Sequence, residues 1–159
     1  MSRRKIVDLY ADGGVIKKNP STIGGTYAFV LVWKGQELES ESGVLTPKAM
    51  GKPAVTNNQM ELYAVMCGVA WARDEGLKIE HIYSDSQVTL GRLYKNWKLN
   101  GIPLWMEISF NVLKYDIHKT RGVYVRGHNG DKWNEMCDQL CRQEAENFLS
   151  SCSKKDMID

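Results

Sequence analysis

IVDLYADGG, residues 6–14, is the stretch of sequence on which the fold prediction depends. Successive side chains of a β-strand point to opposite faces of a sheet. A strand over residues 6–12 therefore has two sides, with Ile6, Asp8, Tyr10 and Asp12 on one and Val7, Leu9 and Ala11 on the other. It would end at an acid, and two glycines follow that acid.

The residues after this strand predict a hairpin meander. Residues 24–33 are rich in aromatic and β-branched residues, as strands are. A tight turn at Lys34-Gly35 would reverse the chain, and residues 36–44 would return as a third strand. That strand would carry alternating glutamates on a solvated side: Glu37, Glu39 and Glu41.

Helices alternate with strands in the rest of the chain. Helical spacing of apolar residues predicts a helix over 58–75, and a buried strand follows over 78–84. The later predicted elements are a helix over 86–97, a helix starting at Pro103, a strand over 123–126 and a helix over 132–149. The inward face expected for the helix after Pro103 consists of Leu104, Trp105, Ile108, Val112 and Tyr115.

This order of elements predicts the fold class. A helix between two strands implies parallel pairing with a right-handed crossover. We therefore expect an α/β fold with a five-stranded mixed sheet, an antiparallel meander of three strands plus two parallel strands, flanked by helices. Residues 1–149 would form a single domain and the polar residues 150–159 a flexible tail.

The composition is that of one ordinary domain. The chain has 159 residues, 21 of them basic and 19 acidic; its net charge of +2 permits a nucleic-acid partner without arguing for one. The longest apolar run, 27–33, is far too short to span a membrane. The four cysteines lack CxxC spacing and are expected to be small apolar packers in a reducing cytoplasm. We expect a cytoplasmic monomer with no membrane partner.

Four acids stand where this fold could bring them together. Asp12 and Asp85 end the first and fourth strands, and parallel pairing puts both ends at one edge of the sheet. Glu61 lies one turn into a helix, and Asp138 borders the buried face of the last helix. Converging carboxylates repel one another unless a cation is present, and Mg²⁺ prefers oxygen ligands. Spacing alone nevertheless favours the alternative that these acids are simply solvated.

Motifs around the acids resemble those of type 1 ribonucleases H. Residues 10–14, YADGG, are similar to the family's Thr-Asp-Gly-Ser opening, and residues 56–62, TNNQMEL, to its Thr-Asn-Asn-Arg/Gln-Met-Glu motif. Residues 84–87, SDSQ, match Thr/Ser-Asp-Ser-Gln. Residues 126–138, RGHNGDKWNEMCD, resemble the Lys/Arg-Gly-His-x-Gly…Asn-Glu-x-x-Asp ending. All four occur in the family's order, each on the predicted type of element.

The resemblance implies an endoribonuclease that hydrolyses the RNA strand of an RNA–DNA hybrid and leaves 5′-phosphate and 3′-hydroxyl ends. Asp12, Glu61, Asp85 and Asp138 would hold two Mg²⁺ ions, which Mn²⁺ could replace. These acids and His128 would be the catalytic residues, with His128 assisting proton transfer or product departure. The alternative for His128 is a loop histidine without a task; His81 and His118 are expected to be structural or solvated.

Recognition of a hybrid requires contacts to the 2′-hydroxyl groups that distinguish RNA from DNA. The resemblance places the amides of Asn57, Asn58 and Gln87 in the minor groove, although Asn57 could also be a helix N-cap. It makes Asn19, Thr56 and Arg126 candidates for gripping a phosphate of the DNA strand. Gly13 and Gly14, which follow the first acid, complete the expected substrate-binding residues.

Two departures from the family pattern stand out. Gly14 replaces the usual Ser, so a hydroxyl near the first acid that could contact RNA is lost. Many bacterial members carry a long basic protrusion after the third acid, whereas here residues 96–105 join two helices directly, with only Lys95 and Lys98 as basic residues. Because the electrostatic contribution to affinity grows with the number of neutralised phosphates, we expect weaker substrate binding than in members with the protrusion. Trp97 and Trp105 could stack on nucleic acid, but core packing is the expected use of both.

Three alternatives share parts of this pattern. DNA-strand transferases and junction resolvases have acid clusters without the Thr-Asn-Asn and Asp-Ser-Gln motifs. A non-catalytic hybrid-binding module would be expected to have lost an acid, and this chain keeps four. The ribonuclease part of a reverse transcriptase would look the same if it were cut out, although the self-contained length favours a stand-alone enzyme.

Overall fold

Five strands form one mixed sheet in the computed structural model, which describes residues 4–126 and 131–158, with side chains through residue 152. The strands are β1 Ile6–Val15, β2 Gly25–Trp33, β3 Gln36–Leu45, β4 Lys78–Ser84 and β5 Arg121–Tyr124. Their order across the sheet is β3-β2-β1-β4-β5, with β1, β2 and β3 antiparallel and β4 parallel to both β1 and β5. The predicted α/β architecture is confirmed.

Helices cover both faces of the sheet. They are α1 Pro47–Met50, α2 Asn57–Asp74, α3 Gln87–Tyr94, α4 Leu104–His118 and α5 Lys132–Ile158. Leu9 and Ala11 of β1 join the larger core, which includes residues of α2 and α4, whereas Tyr10 packs with Cys137 and Cys141 of α5. The alternating side chains of the central strand therefore assign α2 and α5 to opposite faces.

Close packing of α2 on β1 depends on a glycine in the helix. A Cβ on Gly68 would lie 2.4 Å from Cδ1 of Leu9, so this position has no room for a side chain. The helix ends before Gly76, whose φ of 69° is the left-handed conformation that glycine adopts without strain. The observed end at Asp74 is one residue before the predicted end at residue 75.

Several element bounds differ from those predicted. β1 continues past Asp12 to Val15, because residues 13–15 stay paired with β2. β5 begins at Arg121 rather than 123, and α1 was not predicted at all. α5 runs to Ile158 instead of ending at residue 149, because a helix once formed gains one backbone hydrogen bond for each residue added. The expected flexibility of residues 150–159 stays a prediction.

The predicted buried face of α4 is wrong. The side chains that face the core are Met106, Phe110, Leu113 and Ile117. The residues assigned to the core are instead exposed: Leu104, Trp105, Ile108, Val112 and Tyr115. This helix is apolar on two sides, so helical spacing alone could not decide which side faces inward.

No described helix combines the length and the apolar character that crossing a membrane would require.

Candidate active site

Three carboxylates from three different elements converge at one edge of the sheet. Asp12 lies on β1, Glu61 in the second turn of α2, and Asp85 directly after β4. One oxygen from each of them can be chosen so that the three atoms all lie within 4.8 Å of one another. The structure therefore brings these three acids together as the topology predicted.

Gly13 allows α2 to approach β1 at this point. A Cβ on Gly13 would lie 2.4 Å from the carbonyl carbon of Met60 and 2.5 Å from the backbone nitrogen of Glu61. The N–H of Gly13 also donates to Oδ1 of Asp12 at 2.9 Å. Gly13 thus places Glu61 beside Asp12 and orients the Asp12 carboxylate, and its expected contact to substrate stays a prediction.

The carboxylates destabilise one another's charged forms. Burial, followed by the charges of Asp85 and Asp138, raises the pKa of Asp12 to about 8, against the lowering effect of the Gly13 N–H. Burial and the charges of Asp12 and Asp85 raise the pKa of Glu61 well above its usual value. Two acids whose pKa values are raised by burial and by each other's charge indicate a site suited to binding a cation.

A divalent cation fits this group of oxygens. Oε2 of Glu61 is buried and has no hydrogen-bond partner among the described residues. A buried polar atom without a partner raises the free energy of the folded state unless a bound ligand interacts with it. Hard cations such as Mg²⁺ take carboxylate oxygens as ligands. Asp12, Glu61 and Asp85 would hold such an ion.

The fourth acid, Asp138, approaches from the other face of the sheet. Its charge contributes to the raised pKa of Asp12, and its side chain is 33% exposed, at the border of the buried face as predicted. Its carboxylate is paired with Arg142, one turn further along α5. α5 is docked on β1 through Cys137 and Cys141, whose thiols donate to the carbonyls of Tyr10 (3.5 Å) and Asp12 (3.6 Å).

His128 lies outside the described residues, as do the two glycines around it. Arg126, just before this segment, is exposed. The roles expected for His128 and Arg126 stay predictions. His81, expected to be structural or solvated, contacts Oδ1 of Asp8 through Nδ1 at 3.0 Å.

The expected substrate-binding residues cluster at the start of α2. Thr56 is the N-cap and forms a capping box with Gln59, so the alternative of an Asn57 N-cap is wrong. Asn57 is the first helical residue, and its N–H donates to Oδ1 of Asn19 at 3.1 Å. Asn58 is exposed on the same turn. Thr56 and Asn19 thus both stabilise this helix start, whatever else they bind.

A groove that was not predicted from the sequence begins beside the acids. Gln87, two residues after Asp85, is exposed at the start of α3 and lines a cavity of about 570 Å³ between α3 and β5. The other lining side chains include Tyr94, Lys95, Trp97, Arg121 and Tyr124.

The two tryptophans expected in the core are partly exposed. Trp97 is 47% exposed and covers Gly91, where a Cβ would lie 2.2 Å from its ring. Trp105 is 39% exposed, and its Nε1 donates to the carbonyl of Met50 at 2.8 Å.

The short connector before α4 is held by Arg92, which donates to the carbonyls of Lys98 and Asn100 at 3.2 and 3.0 Å.

Arg142 was also missed, although its spacing could have revealed it. Residues four apart on a helix are neighbours, so an arginine at this distance from Asp138 was a candidate ion-pair partner. No pattern in the sequence could have predicted the groove, because residues of α3 and β5 meet only in the folded chain.

Comparison with known proteins agrees with the fold and the acid site. The family model for RNase H matches residues 4–146. Ribonuclease H of Sulfurovum sp. (strain NBC37-1) is 31% identical over 156 residues, covering 93% of this chain and 96% of that protein. Ribonuclease H of Actinobacillus pleuropneumoniae serotype 5b is 31% identical over 157 residues, covering 90% and 92%.

Solved structures share the fold. RNase H1 of the archaeon Halobacterium salinarum superposes with a TM-score of 0.70 at 23% identity, covering 89% of this chain and 98% of that one. LC11-RNase H1, solved in complex with an RNA/DNA hybrid, gives 0.69 at 16% identity, covering 90% and 99%. With four acids in the family's motifs and a family match over most of its length, this chain belongs to the ribonuclease H family, whose members are hydrolases that cut RNA.

Proposed function

We propose that this chain hydrolyses the RNA strand of RNA–DNA hybrids, with two Mg²⁺ ions held by Asp12, Glu61, Asp85 and Asp138. The convergence of three carboxylates around the unpartnered Oε2 of Glu61 carries this proposal. Mn²⁺ is expected to replace Mg²⁺, because both are divalent ions that oxygen ligands suit. The products would have 5′-phosphate and 3′-hydroxyl ends.

The chain's own residues position the reaction. Divalent ions would supply the positive charge that the carboxylates and the scissile phosphate both require. Gly13 holds Asp12 through its N–H, and the docking of α2 fixes Glu61, so the acids are preorganised before the substrate arrives. His128 would move a proton during attack by water or departure of the product.

Recognition of the RNA strand would use the amides at the start of α2 and α3. Asn58 and Gln87 are exposed on either side of the acids and can both donate to and accept from a 2′-hydroxyl, as can Asn57. The hybrid complex of LC11-RNase H1, which has the same fold, supports this class of substrate. Gly14, two residues after Asp12 on β1, would leave room for a sugar of the RNA strand.

The DNA strand would be held on two sides of the acids. The Thr56 hydroxyl accepts from the N–H of Gln59, so its own proton can be donated to a phosphate. The amide nitrogen of Asn19 and the guanidinium of Arg126 are further donors. On the other side, the groove between α3 and β5 offers Lys95 and Arg121 for phosphates and the face of Trp97 for stacking.

The decisive experiment is cleavage of an end-labelled RNA–DNA hybrid in Mg²⁺, with single-stranded RNA, duplex RNA and duplex DNA run beside it. Asp85→Asn and EDTA should each abolish cutting of the RNA strand. Asp74→Asn, which alters an exposed acid at the far end of α2, is the matched control and should cut normally. Tight hybrid binding without cutting in Mg²⁺ or Mn²⁺ would indicate a binding module, and cutting of duplex DNA would indicate a different substrate.

The expected cytoplasmic location stays a prediction. It rests on the free thiols of the four cysteines, Cys67, Cys137, Cys141 and Cys152.

A further inference from the structure

The solvent-facing side of α4 carries a row of large apolar side chains. Leu104 is 70% exposed, Ile108 55%, Val112 58% and Tyr115 71%. With Trp105, these residues make up five of the eight large apolar side chains exposed in the described part of the chain. The opposite side of the same helix is buried in the core. A monomer rarely leaves such a concentrated apolar surface uncovered.

The spacing of these residues makes one continuous stripe. At about 100° per residue, positions 104, 108, 112 and 115 fall within roughly 80° of one another on the helix surface. Along the axis they extend over about 17 Å, at about 1.5 Å per residue. We call Leu104, Ile108, Val112 and Tyr115 the α4 stripe.

We propose that the α4 stripe binds the α4 stripe of a second copy of this chain, with the two helices antiparallel. The steps between the stripe residues are four, four and three, so the stripe has nearly the same spacing in both directions. A two-fold axis near residue 110 then sets Ile108 opposite Val112 and Leu104 opposite Tyr115. Self-complementarity of this kind is what a two-fold interface requires, because each contact occurs twice.

Charges beside the stripe favour the same arrangement. Glu107 and Lys114 lie on one flank of α4, one before and one after the axis. A two-fold axis perpendicular to both helices keeps this flank of the two copies on the same side of the contact and reverses its direction. Glu107 of each copy would therefore face Lys114 of the other. A parallel two-fold pair would place the two copies of this flank on opposite sides of the contact, so Glu107 and Lys114 would form no pairs across it. Opposed helix dipoles also favour the antiparallel pair.

The interface would be modest in size. One pair of helices covers less surface than the ~800 Å² per partner of a stable complex, so we expect a dissociation constant in the micromolar range or weaker. The proposed dimer departs from the monomer expected from the sequence. It does not depend on the proposed function, since no stripe residue belongs to the acid group.

Sedimentation velocity over about 5 to 500 µM protein tests the dimer, a range that brackets micromolar dissociation constants. The wild-type chain should associate reversibly, and Ile108→Glu should raise the dissociation constant at least about tenfold, since a charge would be buried in the apolar contact. Ile6→Glu is the matched control, because Ile6 is 51% exposed at the start of β1 and outside the stripe. Circular dichroism would verify that each variant is folded.

A charge exchange tests the antiparallel geometry and the identity of the occupant. Glu107→Lys and Lys114→Glu should each weaken association, because each creates two like-charge contacts. An equimolar mixture of the two variants should associate again, since every substituted position then faces its opposite charge. A wild-type chain that stays monomeric throughout, an unaffected Ile108→Glu variant, or a mixture no more associated than its separate components would overturn the proposal.

Discussion

Asp138 is paired with Arg142 on the same helix and stands apart from the three acids whose oxygens lie within 4.8 Å of one another. Its charge still raises the pKa of Asp12, so it is close enough to join them electrostatically. The guanidinium of Arg142 therefore binds the carboxylate that a second divalent ion would need as a ligand. This arrangement makes Arg142 a competitor for Asp138.

Replacing Arg142 should consequently change the metal requirement. Arg142→Gln releases the carboxylate of Asp138 from this ion pair. Because one exposed ion pair contributes little free energy, we expect half-maximal hybrid cleavage at a Mg²⁺ concentration roughly two- to fivefold lower than in the wild type. Arg142→Lys keeps the charge and should stay near wild type. A higher Mg²⁺ requirement in Arg142→Gln would instead mean that the arginine orients Asp138 for the metal. Mg²⁺ titrations of initial cleavage rates distinguish these results.

The raised pKa of Asp12 predicts how stability depends on pH without metal. Between pH of about 4 and about 8 the folded protein retains a proton on Asp12 that the unfolded chain has lost. The free energy of unfolding in EDTA should therefore fall as the pH rises through this window and level off above it. Saturating Mg²⁺ should reduce the fall, since the cation compensates the charge.

Asp12→Asn removes that titration. At pH 8 in EDTA this variant should unfold at least about 3 °C above wild type, equivalent to ~1 kcal/mol for a domain of this size, while losing hybrid cleavage. Near pH 4 the two proteins should have the same melting temperature, because the wild-type Asp12 carboxyl is then protonated. Thermal melts at both pH values provide the measurement. A wild-type advantage at pH 8 in EDTA would contradict the electrostatic repulsion.

Gly13 and Gly14 are neighbours that differ in how tightly they are packed, so substituting each of them tests the packing role of Gly13. Gly13→Ala would place a methyl group 2.4 Å from backbone of α2, which cannot move without shifting Glu61. We expect a loss of about 1–3 kcal/mol in unfolding free energy, with strongly reduced cleavage. Gly14→Ala is the control for stability alone, since its Cβ meets only Oγ1 of Thr26 at 3.1 Å. Denaturant titration of both variants provides the measurement, and equal losses of unfolding free energy would refute the packing role of Gly13.

The groove between α3 and β5 predicts a local change in salt dependence. If Lys95 contacts a phosphate of the hybrid, Lys95→Gln should reduce the slope of log affinity against log salt by about 1 and weaken binding in every sequence context. Lys34→Gln is the control, because Lys34 lies in the β2–β3 turn, at the opposite end of the sheet from Asp12. Binding measured in Ca²⁺ or EDTA at several salt concentrations gives the slopes. Equal slopes for Lys95→Gln and wild type would remove this groove from the substrate path.

The sequence determined the parts of this protein that depend on local order. Alternation along residues 6–12 and helical spacing in residues 58–75 define elements whose pattern each segment carries by itself. The motifs around Asp12, Glu61, Asp85 and Asp138 identified the family and the acid site, because those residues stand at ends and turns that the order of elements brings to one edge. The crossover rule then fixed which strands are parallel.

Tertiary structure alone decided what depends on which surfaces meet. α4 is apolar on two sides, and only its packing against α2 and α3 selected Phe110 rather than Ile108 for the core. Trp97 covers Gly91 yet stays half exposed, because the groove beside it forms only when α3 meets β5. The raised pKa of Asp12 likewise results from burial and from neighbours distant in the chain. Such properties belong to contacts between segments, and no local pattern encodes them.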